Sequence, residues 1–186
     1  MYCLLFVAFI NNSEAQNATA LKLNKSRIQL PNGWSLSPIG KSLPLGDLPL
    51  NIAVSPSKKL LAITNNGQST QSLQLIDATK HIILDSLDIA KSWLGLAFSK
   101  DEKTLYASGG NDNWILEYTI NKNKLSLKDS IKLGDKWPTK ISPAGLTINY
   151  TTNTLFVVTK DNNSLYTINL ATKKVTSQIS LPAEAY

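Results

Sequence analysis

The stretch NIAVSPSKKLLAIT at residues 51–64 returns later in the chain as GLAFSKDEKTLYAS at residues 95–108. In this alignment Leu61 matches Leu105, an offset of 44 residues. A third copy, GLTINYTTNTLFVVT, occupies residues 145–159. Self-similarity at a nearly constant spacing is the sequence signature of a repeat architecture, in which each unit buries its apolar face against its neighbours.

Each copy divides into short runs of β-forming residues separated by turn residues. In the first copy these runs cover roughly 51–55, 60–64, 72–77 and 82–88. Four strands in about 40–45 residues are typical of one β-propeller blade. No run has helical spacing over the length that a helix would need. The sequence therefore predicts an all-β fold, a partial β-propeller of about three four-stranded antiparallel blades.

The predicted blades cover about 43–89, 90–137 and 138–186. Before them, residues 16–42 form an N-terminal segment that would supply an outer strand to a neighbouring blade. Closed propellers usually have about 4–8 blades. We therefore expect an incomplete ring, a fragment of a longer protein, whose first and last blades expose apolar faces. Closure by oligomerisation or an open arc are the alternatives.

The first 15 residues resemble a secretory signal peptide. Residues 2–10 are nearly all apolar, and Ser13 and Ala15 take the small-residue positions before a cleavage at Gln16. This predicts export to the periplasm or the extracellular space. The apolar run is too short to span a bilayer, which takes about 20 residues, so we expect no transmembrane span. Since no basic residue precedes Lys22, a buried N-terminal strand is the alternative.

Composition argues against several classes of protein. The 19 basic residues exceed the 13 acidic ones by six, but the lysines are scattered, so we expect a solvated surface and no nucleic-acid partner. The only cysteine is Cys3 and the only histidine is His81, too few for a disulfide within the chain or a typical zinc site. No catalytic residue, metal ligand or cofactor is predicted.

Short motifs resemble the YVTN-type propeller repeats. They are Ser55-Pro56-Ser57, Leu105-Tyr106-Ala107 and Ile76-Asp77-Ala78-Thr79, and the resemblance covers about 43–186.

Two longer segments, 30–56 and 108–118, are similar to the N-terminal propeller of exported bacterial fusion proteins. In those proteins the C-terminal half is a phosphoesterase of the alkaline phosphatase superfamily. The resemblance implies that the remaining blades and a C-terminal phosphoesterase-like domain are partners in a longer chain. No metal ligand or nucleophile of such a domain falls within this sequence.

Loops between the second and third strands of each blade should emerge on the same side as the connections between blades. The loops are 65–70, 109–114 and 160–164, and the connections are 46–49, 91–93 and 135–138. This side would be rich in Asn, Asp, Gly and Trp, which suits an amphipathic small molecule or a glycan. The candidate ligand-binding residues are Asn66, Trp93, Asn111, Asp112, Asn113, Trp114, Trp137, Asp161 and Asn162. Nearby lysines, Lys136, Lys140 and Lys160, would attract an anionic ligand.

For any single residue of this set, a role in a tight turn or in packing between blades is the alternative. The leading functional hypothesis is a non-catalytic ligand-binding or protein-interaction module. A fragment of a propeller enzyme, lactonase-like or a metal-dependent hydrolase, is the alternative; it would require Asp47, Asp112 and Asp161 to converge on one channel. A purely structural role in assembly would be favoured by apolar loops.

Overall fold

A computed structural model describes residues 27–36, 41–91, 93–136 and 138–186. The chain divides into two compact units, Met1–Ser42 and Leu43–Tyr186. In the first unit, β1 (Ile28–Gln29) and β2 (Ser35–Leu36) form a small antiparallel hairpin. The predicted signal peptide lies outside the described residues. The predicted outer strand would belong to a further blade and stays a prediction.

The second unit contains three four-stranded antiparallel sheets, each built from strands that are consecutive in the chain. Blade 1 comprises β3 (Pro49–Val54), β4 (Leu60–Asn65), β5 (Ser72–Asp77) and β6 (Ile82–Asp88). Blade 2 comprises β7 (Leu96–Phe98), β8 (Thr104–Ser108), β9 (Trp114–Asn121) and β10 (Lys124–Lys132). Blade 3 comprises β11 (Pro143–Asn149), β12 (Thr154–Thr159), β13 (Ser164–Asn169) and β14 (Lys174–Ser180). These sheets confirm the predicted all-β, partial-propeller fold.

Helical structure in the described residues amounts to one turn of 3-10 helix, η1 (Gly110–Asp112). No helix in this part of the chain is long and apolar enough to cross a membrane.

Apolar side chains fill the spaces between successive blades. Leu73 and Leu75 of blade 1 pack with Phe98 and Leu105 of blade 2, and all four are buried. A second cluster joins blades 2 and 3; its fully buried members include Ile115, Ile131, Leu155 and Ile168. The hydrophobic core is therefore layered between sheets, as strands buried on both faces require.

The outermost strand of each blade contains an irregularity in register beside the third strand. In blades 1 and 2 the residue after this bulge is an aspartate, Asp85 or Asp129, and each is bonded to the next blade. Asp85 accepts hydrogen bonds from Lys124 Nζ at 2.8 Å and from the Leu125 backbone N–H at 2.7 Å. Asp129 accepts one from Lys173 Nζ at 2.5 Å. The repeat thus encodes a polar link between successive blades as well as an apolar core.

The open side of blade 1 and the outer face of blade 3 expose apolar side chains. Val54 is 56% exposed and Ile179 is 55% exposed. Apolar side chains exposed at the open faces of a repeat array favour association. We expect the double variant Val54→Ser/Ile179→Ser to weaken self-association of the chain about tenfold, since each change removes apolar area from any contact.

Sedimentation velocity over a range of protein concentrations measures this effect. Ile28→Ser is the matched control, because Ile28 is 57% exposed but belongs to the N-terminal hairpin. An unchanged association constant for the double variant, or an equal decrease in this constant for the control, would contradict the prediction that these two faces mediate self-association.

Candidate functional site

One pocket, of about 440 Å³, is lined by residues from all three blades. The β4–β5 loop contributes two amides, the β6–β7 connection a lysine and a tryptophan, the β8–β9 loop a glycine and an asparagine, and the β12–β13 loop a lysine. In chain order these residues are Asn66, Gln71, Lys91, Trp93, Gly110, Asn111 and Lys160. We call this the loop-face pocket. It contains three of the residues that the sequence nominated for ligand binding: Asn66, Trp93 and Asn111.

A cation and two aromatic rings meet at one side of the loop-face pocket. Lys160 Nζ lies 5.4 Å from the centroid of the Trp93 ring and 5.7 Å from that of Tyr186. The two rings contact each other edge to face, with centroids 6.0 Å apart. These distances are within the range of cation–π attraction. The rings therefore position the Lys160 ammonium group beside the pocket.

Two side-chain acceptors in the pocket are unused. Asn66 Oδ1 and Gln71 Oε1 are buried and accept no hydrogen bond in the described part of the chain. The Asn66 backbone is anchored, since its N–H donates to the Leu48 carbonyl at 3.1 Å. Buried polar atoms normally have partners, so these two oxygens are candidate acceptors for a ligand or a bound water.

Asp112 and Trp114 lie beside lysines. Asp112 carboxylate oxygens are 2.9 Å from Lys91 Nζ and 3.9 Å from Lys136 Nζ. Lys136 Nζ also lies 4.5 Å from the centroid of the Trp114 ring. The negative charge of Asp112 is therefore compensated by two cations, and this part of the loop face carries no excess negative charge that would repel an anion.

Asn113 lies below this surface, fully buried at the end of η1. Its Nδ2 donates to the carbonyls of Asp135 and Thr139, and its Oδ1 accepts from the backbone N–H groups of Ile141 and Ser142. All four groups belong to the connection between blades 2 and 3. The geometry gives Asn113 a structural role in fastening this connection.

Asp161 and Asn162 also bond to neighbouring side chains. Ser142 Oγ lies 2.6 Å from Asp161 Oδ2, and Asn162 Nδ2 donates to the Tyr166 hydroxyl at 2.8 Å. Asn162 Oδ1 in addition accepts from Thr159 Oγ1. Ligand contacts by these two residues stay a prediction. Trp137 lies outside the described residues.

The three aspartates on which the enzyme alternative depends have separate partners. Asp47 Oδ2 accepts from the backbone N–H of Ser69 at 3.1 Å and from its hydroxyl at 3.2 Å, and these bonds lower the pKa of Asp47. Asp112 pairs with lysines and Asp161 with a serine, as described above. Within the described residues no group of three or more His, Cys, Asp or Glu side chains could hold a metal ion.

Sequence reasoning did not name Gln71, Lys91 or Tyr186 as site residues. Gln71 directly follows the predicted loop 65–70, and Lys91 lies in the predicted connection 91–93, so both positions could have been named from the alignment. Tyr186 follows the last strand, and its contact with Trp93 was not predicted.

Comparison with solved structures supports the fold. Kuenenia stuttgartiensis hydrazine synthase matches with a TM-score of 0.62 and 19% identity over 78% of this chain and 40% of that one. U3-55K matches with a TM-score of 0.62 and 15% identity over 77% of this chain and 42% of that one. The β-propeller domain of Myceliophteria thermophila Cps50 (Swd1) matches with a TM-score of 0.56 and 17% identity over 73% and 44%.

This chain therefore spans less than half the length of these three structures. No protein-family model matches the sequence, and no curated protein matches it either. At these identities the likeness concerns the fold alone, and together with the three sheets it shows that the chain is similar to part of a β-propeller.

Proposed function

We propose that this chain is a non-catalytic binding module that holds a small polar ligand, such as a sugar, in the loop-face pocket. The observation that carries the proposal is the convergence of three blades on one pocket containing two unused buried acceptors, Asn66 Oδ1 and Gln71 Oε1. Loops displayed on a rigid scaffold commonly carry binding function.

The pocket chemistry favours an acidic sugar. Sugar hydroxyl groups would donate to Asn66 and Gln71, and the apolar face of the ring would lie against Trp93, which lines the same pocket. A carboxylate on the sugar would pair with Lys160 in a charge-assisted hydrogen bond, which is stronger than a neutral one. The net charge of +6 also favours an anionic ligand over a cationic one.

We further propose that the module belongs to an exported protein of the YVTN-repeat type, in which further blades complete the ring and a phosphoesterase-like domain follows. The motifs Ser55-Pro56-Ser57 and Ile76-Asp77-Ala78-Thr79 support the repeat family. The exposed apolar faces of blades 1 and 3 support a role for additional blades, because each internal blade junction is filled with buried side chains.

Titration with D-glucuronate and with D-glucose tests the ligand class. The two sugars differ mainly in the carboxylate, so we expect glucuronate to bind about tenfold more tightly, the equivalent of one charge-assisted hydrogen bond. Lys160→Gln should remove this preference and leave the affinity for glucose unchanged. Binding would be measured by changes in Trp fluorescence and in the amide NMR signals of residues 66–71.

Lys174→Gln is the matched control, since Lys174 is exposed at the start of β14, away from the pocket, and should keep the preference. If both Lys160→Gln and Lys174→Gln lose the preference for glucuronate, that preference arises from the net charge of the chain and not from Lys160. Failure of both sugars to shift signals from the pocket would overturn the sugar-binding proposal.

A further inference from the structure

A second cavity lies between blades 1 and 2. It has a volume of about 250 Å³, and its walls are mainly apolar. Leu87 and Ile89 form the blade 1 side, while Trp114, Leu116 and Tyr118 of β9 form the blade 2 side. We call it the inter-blade cleft. It is distinct from the loop-face pocket, with which it shares Lys91 alone among the lining residues.

The strand pattern of β9 accounts for the apolar wall. Trp114, Leu116 and Tyr118 are alternate residues, so their side chains leave the same face of the strand. Gly109 completes this wall, and a Cβ atom there would come within 2.8 Å of the Trp114 carbonyl oxygen. A larger residue at 109 could not be placed without moving the strand that carries Trp114.

The indole of Trp114 has an unused donor. Its Nε1 is buried and makes no hydrogen bond within the described residues. The ring is held in place by lysines, with Lys136 Nζ at 4.5 Å and Lys132 Nζ at 5.6 Å from its centroid. A buried N–H without an acceptor is costly and uncommon in folded proteins. An acceptor that reached this N–H from the Trp114 side of the cleft would remove that cost.

A water molecule is a poor match for this cleft, because buried waters typically make about three hydrogen bonds and the walls are largely apolar. A dry apolar cavity of about 150 Å³ is large enough for benzene. The cleft, at about 250 Å³, accommodates such a ring with a short substituent. Lys91 and Asp112, paired at 2.9 Å, border the same space.

We infer that the inter-blade cleft binds a small aromatic or alicyclic molecule that carries one carbonyl or hydroxyl oxygen, which accepts the hydrogen bond of Trp114 Nε1. The ring replaces solvent against Leu87, Ile89 and Leu116, and the oxygen supplies the missing acceptor. This site is independent of sugar binding at the loop-face pocket.

Acetophenone and ethylbenzene form a matched pair of probes, because they have nearly the same shape and differ by the carbonyl oxygen. We expect the wild-type chain to bind acetophenone about fivefold more tightly than ethylbenzene, because one neutral hydrogen bond contributes a binding free energy of about this size. Trp114→Phe keeps an aromatic ring but removes the N–H, and should bind the two probes equally. NMR titration of the indole N–H and methyl signals measures both affinities.

Trp34→Phe is the control, since Trp34 is 74% exposed and lies in the N-terminal hairpin unit. It should retain the fivefold preference. If Trp114→Phe fails to fold, the wild-type chain alone can test whether the probe binds in the cleft. In that chain we expect nuclear Overhauser effects between the acetophenone ring and the methyl groups of Leu87 and Leu116. Their absence, or an equal preference in wild type and Trp114→Phe, would overturn the inference.

Discussion

Replacing Asn113 with glycine should lower the free energy of unfolding by about 4 kcal/mol, because two buried N–H groups lose their acceptor and two carbonyls lose a donor. The N–H groups belong to Ile141 and Ser142, which are 7% and 2% exposed. Asn113 is in the left-handed region, with φ of 61°. Since glycine adopts this conformation freely, Asn113→Gly removes the hydrogen bonds without adding backbone strain.

Urea unfolding followed by circular dichroism measures the change. Asn123→Gly is the matched control: Asn123 also has positive φ, of 63°, but it is exposed in the β9–β10 hairpin and its side chain makes no hydrogen bond within the described residues. The control should be nearly neutral. A loss below about 1 kcal/mol in Asn113→Gly would mean that solvent replaces these bonds, and that Asn113 does not fasten the blade 2 to blade 3 connection.

The repeat predicted the strands well because each strand is specified locally, by β-forming residues between turn residues. Burial was harder to predict from the same alignment. Val54 matches Phe98, yet Val54 is 56% exposed and Phe98 is 2% exposed. Likewise Ile179 is 55% exposed and its counterpart Ile131 is 2% exposed. The difference arises because blade 2 has a neighbour on each side, whereas blades 1 and 3 each have one open face.

The candidate site was predictable in outline, since strand direction alone places alternate loops on the same side of a blade. The roles of single residues were not. Asparagine is a common turn residue, but the Asn113 amide is buried because it bonds to the backbone of Asp135, Thr139, Ile141 and Ser142. Lys160 is one of many scattered lysines in the sequence, and its position beside Trp93 depends on contacts between blades.

Replacing Lys173 with methionine should lower the free energy of unfolding at pH 7 by about 2 kcal/mol, because the buried Glu117 carboxylate loses a charge-assisted partner while the Lys173 side chain is itself 32% exposed. Glu117 is 3% exposed, and its two carboxylate oxygens lie 2.6 Å from Lys173 Nζ and 2.9 Å from Lys128 Nζ. Lys173 also bonds to Asp129 and thereby links blade 3 to blade 2. Lys128 would remain beside Glu117, so the loss should be smaller than when a buried charge is left without any partner.

The pH dependence distinguishes this ion pair from simple packing by the lysine side chain. Burial alone would raise the pKa of Glu117, but bonds from Lys173 and Lys128 outweigh it, so the pKa is lowered from its ordinary 4.5. A carboxyl with a lowered pKa stabilises the fold above its unfolded pKa, and this stabilisation is lost as the pH falls through the folded value. The difference between wild type and Lys173→Met should therefore shrink below about pH 4.5.

Lys174→Met serves as the control for the loss of a lysine, because Lys174 is the exposed next residue and has no ion pair in the described part of the chain. Its stability should follow that of wild type from pH 7 to pH 3.5. A Lys173→Met deficit that stays constant over this range would show that the Lys173 stem, rather than its charge, stabilises the junction. A deficit that closes in acid would show that the charges on Glu117 and Asp129, both paired with Lys173, hold blade 3 to blade 2 and make this junction sensitive to acid.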